Sequence, residues 1–203
     1  FSERCPGVEL RLNEAHTARL KGELQEGTLD FVIDNCAFDP TVYESQLLKR
    51  EQVILAVPRS LPLSPQAAPF RLSAAQLTIK DAPRVPLPLF ADVPFLLLKE
   101  GNDTRARAEQ LCAQAGFTPH IRLQLDQQLA AYNLASYGLG AAFISDTLAL
   151  SAPPDERLVY YRIDSPDVER SIRLFYKRTR VLTAPMRALL DMLDRSKGRP
   201  KDD

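Results

Sequence analysis

The chain has 203 residues, 45% hydrophobic and 26% charged, and its 26 Lys and Arg are balanced by 26 Asp and Glu. That composition is ordinary for a soluble globular protein, with enough chain for one large domain or two small lobes. Zero net charge argues against a segment that grips DNA alone, and no apolar run approaches the roughly 18 residues of a membrane span.

Val8, Leu10 and Leu12 alternate with Glu9, Arg11 and Asn13, the period of a half-buried strand. A short helix follows, with Ala15, Leu20 and Leu24 inward and Gly27 as its stop. Leu29 to Ile33 is an apolar run ending in Asp34 and Asn35, which reads as a buried parallel strand and completes a strand–helix–strand crossover. Leu47 to Val57 is a further strand, followed by Pro58 to Pro69, whose prolines predict an irregular surface connector.

A second set begins near Leu72, with a possible helical turn at Ser73 to Leu77 and another proline-rich stretch from Asp81 to Pro94. Phe95 to Leu98 reads as a buried strand, Asp103 to Ala115 as a helix and His120 to Leu125 as an alternating strand. Asp126 opens a helix that stops at Gly138. Ala141 to Ile144 is a strand, and Asp146 to Leu150 a helical turn. Two successive strand–helix crossovers imply a parallel sheet. Arg157 to Ile163 and Ser171 to Lys177 read as strands. Thr183 caps a last helix with Pro185 in its first turn and Met186, Leu189, Leu190 and Leu193 on a buried face. The charged tail 196–203 is expected to fray.

That last helix needs a sheet to cover, and the simplest placement is on the first set. The expected domains are a discontinuous lobe I of residues 1–57 plus 160–195 and a lobe II of residues 58–159. Two crossing segments form a hinge, with a ligand cleft at the junction.

The three cysteines, Cys5, Cys36 and Cys112, are odd in number and lack CxxC spacing, so they read as free buried thiols in a reducing compartment. That favours the cytoplasm. The two histidines, His16 and His120, stand in no metal-ligand spacing, and neither a GxSxG elbow nor a P-loop is present. Gly138-Leu139-Gly140 lacks the third glycine of a dinucleotide site; Gly138 reads as a helix cap and Gly140 as a close-packing position. No enzyme and no cofactor are expected.

Five segments occur in one order: Cys5-Pro-Gly-Val-Glu-Leu, Glu26-Gly-Thr-Leu-Asp-Phe-Val-Ile, Gln52-Val-Ile-Leu-Ala-Val, Phe95-Leu-Leu-Leu and Tyr137-Gly-Leu-Gly-Ala-Ala-Phe-Ile. Together they resemble the effector-binding domain of LysR-type transcriptional regulators, from Phe1 to about Leu193. The resemblance implies an α/β fold of two Rossmann-like lobes, like the type 2 periplasmic binding proteins. It implies that a small inducer binds between the lobes and alters DNA binding by an attached winged helix-turn-helix. It also implies a homodimer or homotetramer, with helices Thr17–Glu26 and Asp103–Ala115 as candidate faces. DNA would be reached only through an N-terminal domain that this chain lacks. The family's first strand and following loop, one wall of its cleft, are also expected to be missing.

The candidate binding residues follow the strand ends. Asn102, Asp103, Thr104 and Arg105 open a helix after an apolar strand, where free N–H groups and short polar side chains face the crevice of an open α/β sheet. One of Asn102 and Asp103 should cap the helix. Arg105 could grip a carboxylate of an anionic effector or could equally be a solvated helix residue. Asp126 and Gln127 start the next helix; Ser145 and Asp146 end the following strand. Asp34 and Asn35, with Glu14 and Ala15, would form the opposite wall. The alternative is an extracytoplasmic solute-binding protein of a transporter, which shares fold and cleft. A third class is a small catalytic domain of this architecture.

Overall fold

The computed structural model describes residues 1–195, so the tail 196–203 lies outside the described residues. The chain divides into two compact units, one of Phe1–Arg50 with the chain from Ser171 onward, the other of Glu51–Arg170. The chain passes from one to the other inside two long strands, β2 (Tyr43–Pro58) and β8 (Glu169–Lys177).

The Glu51–Arg170 unit is a mixed sheet covered on both faces. Its strands are the second half of β2, β3 (Arg84–Val85), β4 (Pro94–Leu98), β5 (His120–Leu125), β6 (Ala141–Ser145) and β7 (Leu158–Ile163). β4 pairs in parallel with β5 and β6, as two strand–helix crossovers require. β2 runs antiparallel between β6 and β7, and β7 carries β3 in parallel. Alternate residues explain the near-continuous apolar runs. Val53, Leu55, Phe95, Leu97 and Phe143 enter one core cluster, and Ile54, Leu96, Leu98 and Ile144 the other. Helix α2 (Asp103–Gln114) covers the first cluster through Ala108, Leu111 and Cys112. Helix α3 (Gln128–Ser136) covers the second through Ala131, Tyr132 and Ala135. The short α4 (Asp146–Ser151) adds Ala149 to the second cluster.

The proline-rich stretches are not wholly irregular: each carries a short 3-10 turn that buries one or two apolar side chains, while Pro62, Pro65, Pro69 and Pro88 stay exposed. Pro65–Phe70 forms a 3-10 turn with Ser64 accepting from Gln66 N–H, and Ala67 is fully buried. Leu87–Phe90 forms another, burying Leu87 and Phe90. Proline fixes φ and lacks an N–H, which suits the start of such a turn and excludes only longer regular elements. Ala75–Thr78 is the expected single turn, also 3-10.

Gly140 is the close-packing position. A Cβ built there would meet Pro94 O at 2.6 Å, where β6 starts beside β4. The neighbour is backbone and cannot rotate away. Gly140→Ala is therefore expected to destabilise this unit by about 1–3 kcal/mol, read as a lower urea midpoint at unchanged slope; an unchanged midpoint would contradict the contact.

The other unit contains α1 (Thr17–Glu26), β1 (Val32–Asp34), β8 from Ser171, the first half of β2 and α5 (Ala184–Arg195). Gly27 ends α1 with φ at 83°, as the sequence indicated. Leu24, Val32, Phe38 and Phe175 make its core, with the rings of Phe38 and Phe175 stacked 4.0 Å apart. Thr183 caps α5, its hydroxyl accepting from Met186 N–H, and Gln46 of β2 donates to Leu190 O. Met186 is buried while Leu189, Leu190 and Leu193 are half-buried.

Three expectations fail in this unit. Val8–Leu12 forms no strand; Leu10 is 47% and Leu12 89% exposed. An alternating segment becomes a strand only if a neighbouring strand takes its N–H and C=O groups; no described strand pairs with this one, and Val8 N–H goes to Cys5 O in a turn instead. The strand–helix–strand crossover fails with it. β1 is only three residues long and pairs antiparallel with β8, through Val32 and Phe175, instead of in parallel. Of the cysteines only Cys112 is buried, and burial, with nearby Glu109, pushes its thiol up to about 12. Cys5 and Cys36 are half-exposed.

Candidate functional site

The carboxyl ends of β4 and β6 bring the starts of α2, α3 and α4 together, all within the Glu51–Arg170 unit. Asn102 is the cap of α2; its side chain accepts from Thr104 N–H at 2.9 Å. Asp103, in the first turn, accepts from Arg170 at 3.3 Å and lies 3.6 Å from Arg107. Thr104 is buried, and its hydroxyl oxygen accepts from Gln128 Nε2 at 2.7 Å and from Arg170 Nη1 at 2.9 Å. Gln128 Oε1 in turn accepts from Ser145 N–H at 3.0 Å. Ser145 caps α4, its hydroxyl accepting from Leu148 N–H. Asp146 accepts from Gln52 N–H at 3.0 Å, which ties the β6 end to β2.

Arg170 anchors this cluster. Its Nε donates to Glu51 at 2.5 Å, and both side chains are only 6% exposed. A buried ion pair needs such extra hydrogen bonds to offset desolvation. Here Glu51, Asp103 and Thr104 supply them.

The cluster thus unites Asn102, Asp103, Thr104, Ser145 and Asp146 from the sequence reading. Arg105 turns away: it is 5% exposed, donates to Leu98 O at 3.0 Å and pairs with Glu109 at 2.7 Å. It is neither solvated nor presented at the helix start. Asp126 does not open α3; it is exposed and pairs with Lys99. Gln127 occupies the cap position of α3 without a capping side-chain bond. Asp34 and Asn35 belong to the other unit, where Asp34 accepts from Thr17 and from Cys36 N–H, both at 2.8 Å. Glu14 and Ala15 end no strand.

Glu51, Gln128 and Arg170 were missed. Glu51 and Arg170 are 119 residues apart, and in each local pattern they look like the solvated face of a strand. Gln128 looked like any polar residue in a first helical turn.

A separate hollow of about 320 Å³ is lined by Pro86, Leu87, Leu111, Gln114, Ile163 and Pro166. It sits by the carboxyl half of α2, roughly 10 Å along the helix from Thr104. It contributes nothing to the cluster.

Residues 1–197 match the family described as the LysR substrate binding domain. Among curated proteins, an uncharacterized HTH-type transcriptional regulator of Bacillus subtilis strain 168, YcgK, is 28% identical over 187 residues, 91% of this chain and 57% of that protein. The chain thus spans about half the length of the curated relatives it matches. Among solved structures, the Synechocystis PCC6803 CcmR regulatory domain in complex with 2-PG superposes with a TM-score of 0.78 at 18% identity, over 98% of this chain and 88% of that one. The BenM effector binding domain with its effector benzoate gives 0.70 at 19% identity, over 99% and 86%. At these identities the likeness shows the fold, that of LysR effector-binding domains, which resembles type 2 periplasmic binding proteins.

Proposed function

Because this chain belongs to the LysR substrate binding domain family, we propose that it is the effector-sensing part of a transcriptional regulator, binding a small molecule at the joined starts of α2, α3 and α4. The observation that carries the reading is the Thr104–Gln128–Ser145 network. It places hydroxyl, amide and helix-start N–H groups at the carboxyl ends of β4 and β6, the crevice where open α/β sheets hold ligands. Asn102, Asp103, Thr104, Ser145 and Asp146 are the proposed contacts from this unit, with Arg105, Asp126 and Gln127 supporting the same turns.

The proposed mechanism is a population shift. Effector binding favours one arrangement of the chain, and an attached DNA-binding segment reads that arrangement. The activity is binding rather than turnover, in the cytoplasm, by a homodimer or homotetramer. No described helix is long and apolar enough to cross a membrane.

A thermal-shift screen of small organic acids, with 2-PG and benzoate included because the similar domains bind them, tests the reading. A ligand at a hundred times its Kd adds about 2.7 kcal/mol, a rise of roughly 5–10 °C in Tm for a chain of this size. The rise should vanish in Thr104→Val and Ser145→Ala. A rise that survives both substitutions would place the ligand elsewhere.

A further inference from the structure

We propose that the hollow beside the carboxyl half of α2 is a second small-molecule site, and that it takes an organic cation, a protonated amine on a small aromatic or aliphatic body. The inference is independent of the effector reading, since the hollow shares no residue with the Thr104 cluster.

Its volume of about 320 Å³ is at the lower end for ligand pockets, roughly 300–1,000 Å³, so it suits a single ring rather than a larger molecule. The buried part of the lining is apolar: Leu87, Leu111 and Ile163 are 4%, 2% and 1% exposed. Pro86, Pro88 and Pro166 are exposed and form the rim. The turns that carry this rim are pinned without a ligand. Asp164 N–H donates to Val85 O at 3.0 Å, which ties the two rim segments to each other. Ser165 Oγ accepts from Asp167 N–H, and Arg107 of α2 donates to Asp167 O at 2.6 Å. An apolar hollow that is already formed holds an apolar body at small ordering cost.

The polar part of the lining is a set of acceptors. Asp164 is its one charged residue, and among the described residues no hydrogen bond or ion pair takes that carboxylate. Gln114 adds a second acceptor. Its Nε2 donates to the Asp167 carboxylate at 2.7 Å, and an ionised carboxylate only accepts. That contact decides which end of the amide is nitrogen. Oε1 is left over, with no donor among the described residues. The cations nearby are committed elsewhere. Arg107 serves Asp167 O and Asp103, Arg84 lies 3.5 Å from Ile163 O, and neither lines the hollow. An anion would meet Asp164 with no base in the lining to offset it. An ammonium brings three donors to these two acceptors, and its bond to the carboxylate is charge-assisted.

Amide NMR of the whole chain tests this with three probes of similar shape: benzylamine, which is charged at neutral pH, benzyl alcohol and benzoate. Benzylamine should move the Leu111, Ala115, Ile163 and Ser165 signals and leave those of Thr104 and Ser145 in place. Benzyl alcohol should bind there at least about tenfold more weakly, and benzoate should leave the same signals unmoved. Asp164 is exposed, so Asp164→Asn should fold normally and bring benzylamine down to the level of the alcohol. Ala115→Leu, which narrows the hollow, should weaken both. Spectra unchanged elsewhere would show that each variant is folded. Equal affinity for benzylamine and either other probe, or an undiminished preference in Asp164→Asn, would overturn the inference. So would benzylamine that moves none of the hollow's signals, or that moves only Thr104 and Ser145 and so occupies the effector site instead.

Discussion

Replacing Arg162 by methionine should cost about 3–5 kcal/mol, the range for losing the partner of buried polar groups that act together. Arg162 lies in β7 and is 9% exposed. Its guanidinium donates to Leu77 O at 2.7 Å, Ile79 O at 2.8 Å and Lys80 O at 3.2 Å. Backbone carbonyls, rather than a carboxylate, surround this cation in the hydrogen-bond network. They belong to the 3-10 turn Ala75–Thr78 and its exit, so the side chain staples a turn of poor intrinsic stability to the sheet. Methionine fills much of the volume but leaves three carbonyls without their donor. The Tm should fall by roughly 10 °C. Arg162→Lys should recover only part, because one ammonium cannot reproduce a planar fork. A methionine variant as stable as the parent would mean that water replaces the fork at no cost.

The second large effect is at the ends of the same unit. Glu51 and Arg170, its first and last residues, are paired with both side chains 6% exposed. Removing one partner strands the other as a buried charge, at about 3–5 kcal/mol, whereas replacing both with apolar groups is often tolerated. Glu51→Leu and Arg170→Met should each destabilise strongly, and the double variant should be more stable than the sum of the two predicts. A double-mutant cycle in urea measures the difference. Strict additivity would show that the pair does not act as a unit. The same cycle bears on binding: Glu51→Leu leaves Thr104 and Gln128 in place, while Arg170→Met removes one of the two donors to the Thr104 hydroxyl.

The buried strands were legible because burial on two faces demands apolar runs. Gln52–Val57, Phe95–Leu98 and Ala141–Ile144 have no other economical reading. Helix ends were legible because capping is local: Asn102 reaches Thr104 N–H two residues on, and Gly27 takes the αL conformation at the stop. Val8–Leu12 was misread because alternation specifies a face without supplying a partner. The prolines of the connectors were read as barring regular structure, when Pro65 and Pro88 stand at the starts of short 3-10 turns.

The sequence by itself therefore determined which segments must be buried, where helices start and stop, and that three such starts follow strands. It also brought together enough ordered motifs to indicate the family. Only the tertiary structure decided which polar residues meet. Arg105, three residues from Asn102, is committed to Leu98 O and Glu109, while Arg170, 66 residues from Thr104, supplies the cation at the helix start. The physical reason is range. Caps, periodicity and burial act within a few residues, so sequence records them. A buried charge network is satisfied by whatever the sheet order brings within 3 Å or so of a donor, and strand order is not written in any one segment.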